Sequence, residues 1–378
     1  MTHGIALIGC GYIADSYQAA ARHHRDRFAI RAVHDKNPER ARAHAAHWST
    51  PARPLDAILT DPDIALVANL TDPHNHEAVT RAAIAAGKHV YSEKPLAMNF
   101  GTAAALADAA TAKGVRLASA PCNLLGEAAR TLAKAVREGI AGKVRLIYAE
   151  MDDGMIHRAP YQNWANASGA PWPARGEFEV GCTFEHAGYT LGPLVAMFGP
   201  VRTVSAFSTL AIPDKQTTPP LENPAPDVSV ACLTFDNGIT ARMTNSVVAR
   251  YDHRLRLFGD NGTLTLAEPW SYRSPVTFTP QTTSRLGRIA ERRLGWQPTK
   301  RIKPVGTPRV PAGRGQPTMD FCAGIRDLLD AIDAGRPATL TPELGVHITE
   351  VTEAAQHPER FARPYRVTTT VPPINLAG

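Results

Sequence analysis

The sequence reads as an α/β chain, with a parallel sheet covered on both faces by helices in its N-terminal part and a second domain built on a mixed sheet. Three observations predict this. Short apolar runs alternate with helical stretches up to Ser119. A glycine-rich turn follows the first run and opens a helix. Beyond Asn123, two Asp-Asn-Gly turns each join a pair of strand-like segments. Strand–helix alternation implies parallel pairing, whereas tight Asn-Gly turns imply antiparallel hairpins.

The first strand is expected at Gly4–Ile8, followed by GCGYIA, and the second at Phe28–Val33, ending at Asp35. Asn37-Pro38-Glu39 is a helix start, with a capping side chain, a proline in the first turn and an acid near the positive end. Strands at Ile64–Leu70, His89–Tyr91 and Arg116–Ser119 follow. Ala-rich helices after Thr80 and Asn99 separate them, closing at Gly87 and Gly114. A helix over Gly126–Gly139 and a strand over Lys143–Glu150 open the second domain. Its hairpins are Val228–Phe235 with Thr240–Val247, and Arg254–Phe258 with Thr263–Leu266. An amphipathic helix is expected over Thr318–Ala334.

The 378 residues are 44% apolar and 20% charged, which suits a two-domain globular protein. No apolar run approaches the roughly 20 residues of a membrane helix, and the N-terminus carries no secretory pattern. Five scattered cysteines without CxxC spacing suggest reduced thiols in a cytoplasmic protein, not a disulfide framework or a zinc site. No carboxylate or cysteine completes a ligand set with His74 and His76, and His44 and His47 read as part of a solvated helix face, so no metal is expected. The formal charge of +6 is concentrated between Arg285 and Arg314, where nine basic residues face Glu291 alone. The remainder is slightly acidic, which excludes a globally basic nucleic-acid binder. The basic stretch reads as a solvated arm, an anionic-substrate site or a subunit contact.

GCGYIA points to a dinucleotide. Gly9 and Gly11 permit a tight turn and close approach of a pyrophosphate, which Cys10, Tyr12 and Ile13 would border with their backbone, while Ala14 stands where a third glycine is usual. Asp35 lies 24 positions after Gly11, at the end of the next strand, where a carboxylate receives ribose hydroxyls. It favours NAD, and Lys36 beside it keeps NADP possible.

Asn69-Leu70-Thr71-Asp72-Pro73-His74-Asn75-His76, the stretch AAGKHVYSEKPLA and GCGYIA together resemble the glucose-fructose oxidoreductase / inositol dehydrogenase (Gfo/Idh/MocA) family. The resemblance is specific over residues 4–123 and looser beyond. It implies an N-terminal Rossmann domain (1–123) and a C-terminal domain (124–378) with a large, open, mainly antiparallel sheet. It also implies an NAD(P)-dependent dehydrogenase or ketoreductase acting on a sugar, cyclitol or similar polyol. The open sheet face implies a homodimer or homotetramer. Lys94 matches the lysine beside the nicotinamide and the reacting oxygen. Thr71, His76, Glu93 and Asn123 fall along the cofactor cleft. No nucleic-acid or membrane partner is implied.

The stretch GCTFEHAGY carries the proton chemistry. The family has Asp-x-Gly-x-His opening a helix, and Phe198-Gly199 fixes the register here. Glu185 takes the aspartate's place, Ala187 the glycine's and Tyr189 the histidine's. On a helix Glu185 and Tyr189 lie about 40° apart, while His186 lies about 60° from Tyr189. Tyr189 starts protonated and suits an acid. As a base its ionisation at pH 7 would cost roughly 4 kcal/mol, which a charged Lys94 nearby could offset. Lys94 itself and His186 remain alternatives, and Glu185 reads as an orienting or substrate-binding carboxylate. Arg158, Tyr161, Asn163 and Trp172 could line a polyol site. Besides the dehydrogenase, the resemblance leaves open a glycoside hydrolase using transient oxidation and a silent NAD-binding regulator.

Overall fold

The structure is a computed structural model that describes residues 2–295, 297–311, 313 and 318–376. The first sheet contains β1 (His3–Ile8), β2 (Phe28–His34), β3 (Leu66–Asn69), β4 (His89–Ser92) and β5 (Leu117–Ser119). All pairs are parallel and the order is β2-β1-β3-β4-β5. Its strands are almost wholly apolar and buried on both faces, as a parallel sheet between helix layers must be. Asn37 caps the helix Pro38–Trp48 by accepting from the N–H groups of Glu39 and Arg40. Asn99 caps Phe100–Lys113, which ends at the left-handed Gly114.

The second sheet is larger. Its strands are β6 (Val144–Asp152), β7 (Val201–Thr209), β8 (Val228–Phe235), β9 (Thr240–Ser246), β10 (Leu255–Gly259), β11 (Gly262–Leu266), β12 (Val276–Pro280), β13 (Lys300–Arg301) and β14 (Tyr365–Arg366). They run in the order β13-β12-β11-β10-β6-β9-β8-β7-β14, with β6 and β9 parallel and the other pairs antiparallel. Both Asp-Asn-Gly turns close hairpins in the expected register. One face is buried, through Ile147, Ala149, Leu233, Met243, Leu257 and Leu264. On the other, Ser205, Phe207 and Cys232 are exposed. That alternation is what period-two strands with one covered face produce.

Two late helices, Ala323–Asp333 and Pro342–Gln356, return to the first sheet. Gly324 lies against the ring of Tyr91, where a Cβ would come within 2.5 Å of it. His24 of the first unit bonds Asp320 at 2.9 Å, and both are buried. The residues after Asn123 therefore complete the covering of the N-terminal sheet. The helix expected over Thr318–Ala334 begins only at Ala323, because Asp320 turns its carboxylate onto the N–H of Cys322.

The basic stretch is not a plain loop. Arg285–Leu294 is a helix capped by Ser284, inserted between β12 and β13, with Leu286, Ile289 and Leu294 exposed. Arg314 lies outside the described residues. No helix among the described residues is long and apolar enough to cross a membrane. All five cysteines are free thiols, and only Cys232 is exposed.

Candidate functional site

The turn after β1 is shaped for an anion. Gly9 has φ +102°, and a Cβ there would sit 2.6 Å from the carbonyl oxygen of Leu70. Only glycine fits such a position. A Cβ on Gly11 would meet nothing within 4 Å, so the backbone is open to a ligand. No acceptor among the described residues takes the N–H groups of Gly11, Tyr12 or Ile13. They precede the helix Ala14–Ala21, whose positive end adds to their pull on a diphosphate. Asp35 is pinned just after β2, where one carboxylate oxygen accepts from Cys10 N–H and the other from Asn37 N–H, each at 2.8 Å. Burial pushes the Cys10 thiol up to about 12, so it is inert packing in this turn. The Arg40 guanidinium stands 3.7 Å from Asp35, and Lys36 is exposed beside it. A carboxylate for ribose hydroxyls thus has two cations nearby.

A loop of the second domain clasps this turn. Asn166 donates to the carbonyls of Gly11 and Tyr12 at 3.2 and 3.1 Å. Ser168 donates its N–H and its hydroxyl to Asp15, both at 2.8 Å. Trp48 and His44 hold the same carboxylate, whose pKa falls to about 2 because these hydrogen bonds outweigh its burial. His44 is therefore a buried partner of Asp15 and not part of a solvated helix face.

The cleft beyond the turn is held by bonds between its own loops. Thr71 bonds Asn69 through its hydroxyl at 2.7 Å. Buried His76 faces the Thr71 carbonyl with Nε2 (2.9 Å) and the Pro95 carbonyl with Nδ1 (2.6 Å). Both nitrogens are occupied, so His76 ties the two loops together. Glu93 accepts from the Tyr17 hydroxyl at 2.7 Å and from the Lys94 N–H at 2.9 Å, which fixes the turn that presents Lys94. Asn123 donates its amide to the Tyr189 carbonyl at 2.7 Å, and its buried Oδ1 has no partner among the described residues.

At the far end the two domains meet. The ammonium of Lys94 forms an ion pair with Glu185. Burial works against that ammonium, but Glu185, Tyr189, Glu177 and Glu93 outweigh it and hold it well above the usual lysine range. Burial also raises the Tyr189 phenol, and Lys94 only partly opposes this. Lys94 spends most of its charge on Glu185, so the offset expected from the sequence falls short. GCTFEHAGY does not run as one helix. Cys182–His186 and Gly188–Phe198 meet at Ala187, yet Glu185 and Tyr189 still act on the same ammonium.

His186 belongs to a different array. Its Nε2 lies 2.7 Å from Asp153, whose other oxygen lies 2.8 Å from His253 Nε2. His253 Nδ1 meets Glu268 at 3.2 Å. Trp270 packs between this array and the site, its ring 4.4 Å from His253 and 5.3 Å from Tyr189.

The N-terminal residues 3–120 match the family model for an oxidoreductase family with an NAD-binding Rossmann fold, and residues 129–265 match the GFO/IDH/MocA C-terminal domain. The chain belongs to the Gfo/Idh/MocA family. It is similar to an uncharacterized oxidoreductase of Synechocystis, with 26% identity over 69% of this chain and 71% of that one. It is 31% identical to the inositol 2-dehydrogenase of Gluconacetobacter diazotrophicus over 39% of this chain and 45% of that one. Its fold is shared with the aldose-aldose oxidoreductase of Caulobacter crescentus, at TM-score 0.73 and 21% identity over 95% and 98% of the two chains.

As a Gfo/Idh/MocA oxidoreductase the chain uses NAD(P), and the open glycine turn, its free N–H groups and Asp35 fit that group. The family pattern does not reach the flanking residues. Arg158 is exposed on the turn Ile156–Arg158. Tyr161 is buried, its hydroxyl spent on the carbonyls of Lys215 and Gln216 at 3.0 and 3.2 Å. Asn163 is exposed in the adjacent turn. Trp172 lies edge-on to Tyr161, Trp164 and Phe178. It also lines a recess together with Glu177, Glu185 and His186. Sequence reasoning passed over Glu177, Asp153, His253 and Trp270. The first falls inside a short helix with no motif, and the other three come from separated segments that only the fold brings together.

Proposed function

We propose that the protein transfers a hydride between nicotinamide and a carbinol or ketone carbon of a sugar, cyclitol or related polyol. The observation that carries this is the meeting of Lys94, from the end of β4, with Glu185 and Tyr189 of the second domain, the carboxylate buried and the other two half-buried. The inositol and aldose oxidoreductases among its relatives support a polyol-type substrate.

The bound cofactor supplies or accepts the hydride at its nicotinamide ring. The chain's residues handle everything else. In reduction the substrate oxygen takes its proton from the Tyr189 phenol, and the Lys94 ammonium steadies the charge on both oxygens. In oxidation the proton returns to the Tyr189 oxygen. Glu185 orients Lys94, and Asn123 orients Tyr189 through its carbonyl. Glu93 and His76 hold the turn that carries Lys94. The recess and its aromatic wall at Trp172 offer a sugar both hydrogen-bonding groups and a ring face.

The test compares Tyr189→Phe with His186→Ala in single-turnover hydride transfer. Tyr189→Phe is expected to slow the step about 100-fold or more. His186→Ala should retain most of it, because its imidazole is bonded to Asp153. The opposite ranking would reassign the proton to His186.

A further inference from the structure

Resting on that reading of the site, we infer that its substrate is a neutral polyhydroxy compound, and that phosphorylated, nucleotide-linked and acidic sugars are rejected. The recess beside Lys94 holds Glu177, Glu185, His186, Lys215, Asp227 and Trp172 among its lining residues.

Apart from Arg158 at the rim, each Lys or Arg side chain described at this recess already has a buried anion. Lys94 is paired with Glu185. The Lys215 ammonium lies 2.7 Å from Asp227 and also meets the Ile212 carbonyl, and both charged side chains are almost fully buried. The Asp227 oxygens are further fixed by the N–H groups of Ala211 and Ile212 at 2.6 and 2.9 Å, so the pair cannot open cheaply toward a ligand. His186 gives its Nε2 to Asp153 and keeps Nδ1 buried and unpartnered at the recess wall.

The acidic lining works in the same direction. Glu177 lines the recess together with Glu185 and lies close enough to feel its charge. Burial, and then the Glu185 charge, hold Glu177 well above the carboxylate range. An incoming anion meets Glu185 and a Glu177 that burial already keeps from ionising, and among the described lining residues no ammonium or guanidinium is left without a carboxylate partner to receive it. A neutral polyol meets acceptors on Glu177, Glu185 and His186 and a ring edge at Trp172, the kind of surface that binds hydroxyl groups. The basic helix Arg285–Leu294 does not alter the balance, because no recess residue comes from it. Arg158 is the cation at the rim, exposed on the turn whose Ile156 lines the recess.

Two measurements test the inference separately from the redox reading. Calorimetry on the cofactor-loaded protein compares D-glucose, D-xylose and myo-inositol with glucose 6-phosphate and D-glucuronate. At least one neutral compound should bind tenfold or more tightly than either anion. Asp227→Asn, which frees Lys215, should narrow that gap by tenfold. Equal or tighter binding of an anion, lost again in Arg158→Ala, overturns the inference, as does binding of neither class by the wild-type protein. Should Asp227→Asn fail to fold, the wild-type binding ratio still decides. Reduced-cofactor formation is followed in parallel. Neutral-compound binding without turnover would sink the redox reading and leave the charge argument standing.

Discussion

Tyr189 and Lys94 both hold their protons more tightly than they would in water, the first through burial and the second through Glu185. A site tuned this way is ready to act as an acid and slow to act as a base. Carbonyl reduction should therefore be nearly flat between pH 6 and 8, while alcohol oxidation should climb about tenfold per pH unit as the phenol ionises, well past the usual tyrosine range. Rate profiles measured in both directions check this, and an oxidation plateau below pH 8 would contradict it. His253 gives a stability counterpart. Burial disfavours its charge, but Asp153 and Glu268 outweigh that and bring it to about 9. Its folded pKa exceeds the unfolded value near 6.5, so its contribution is complete below that pH and is lost as pH rises through about 9. The amount is at most about 3 kcal/mol. Urea midpoints at pH 6.5 and pH 9.5 should fall in the wild type and differ less in His253→Gln.

At the scale of elements, the loop carrying Asn166 and Ser168 is a clasp from the second domain onto the helix end that would receive the diphosphate. The helix Ala174–Val180, which carries Glu177, packs against the loop after β3, where a Cβ on Gly176 would lie 2.6 Å from an Asp72 carboxylate oxygen. Cofactor end and substrate end are thus both bridged between domains. Removing the clasp as Asn166→Ala with Ser168→Ala deletes three hydrogen bonds at the turn and leaves the Ser168 N–H on Asp15. Cofactor affinity by fluorescence titration should drop about tenfold, the equivalent of about one such bond's net worth, with single-turnover rate at saturation little changed. Unchanged affinity would show the clasp to be a packing contact only.

At the scale of the whole molecule, the second sheet presents one covered face and one bare one. The bare face carries Phe207 at 64% exposure and the Tyr148–Phe258 ring pair, with Arg242 lying over Tyr148 and paired to Glu150. An aromatic-rich face rimmed by ion pairs is the kind of surface on which the homo-oligomer expected from the family resemblance would form. Phe207→Glu should halve the mass seen by light scattering while cofactor binding persists. A wild-type monomer at micromolar concentration would rule this out.

The amino-acid sequence by itself determined the parallel sheet, the glycine turn with Asp35, both hairpins and the Lys94–Glu185–Tyr189 set, because each is written in local spacing or in a motif that few chains share. Local chemistry also fixed the caps at Asn37 and Asn99. Tertiary structure alone decided which charges cancel. Lys94 finds its carboxylate 91 positions away, His186 reaches Asp153 and through it His253, and Tyr161 turns inward to Lys215 instead of toward a ligand. Whether a phenol or an ammonium gains or loses a proton depends on burial and on neighbours within a few ångströms. Those are properties of the packed chain, and no run of residues carries them.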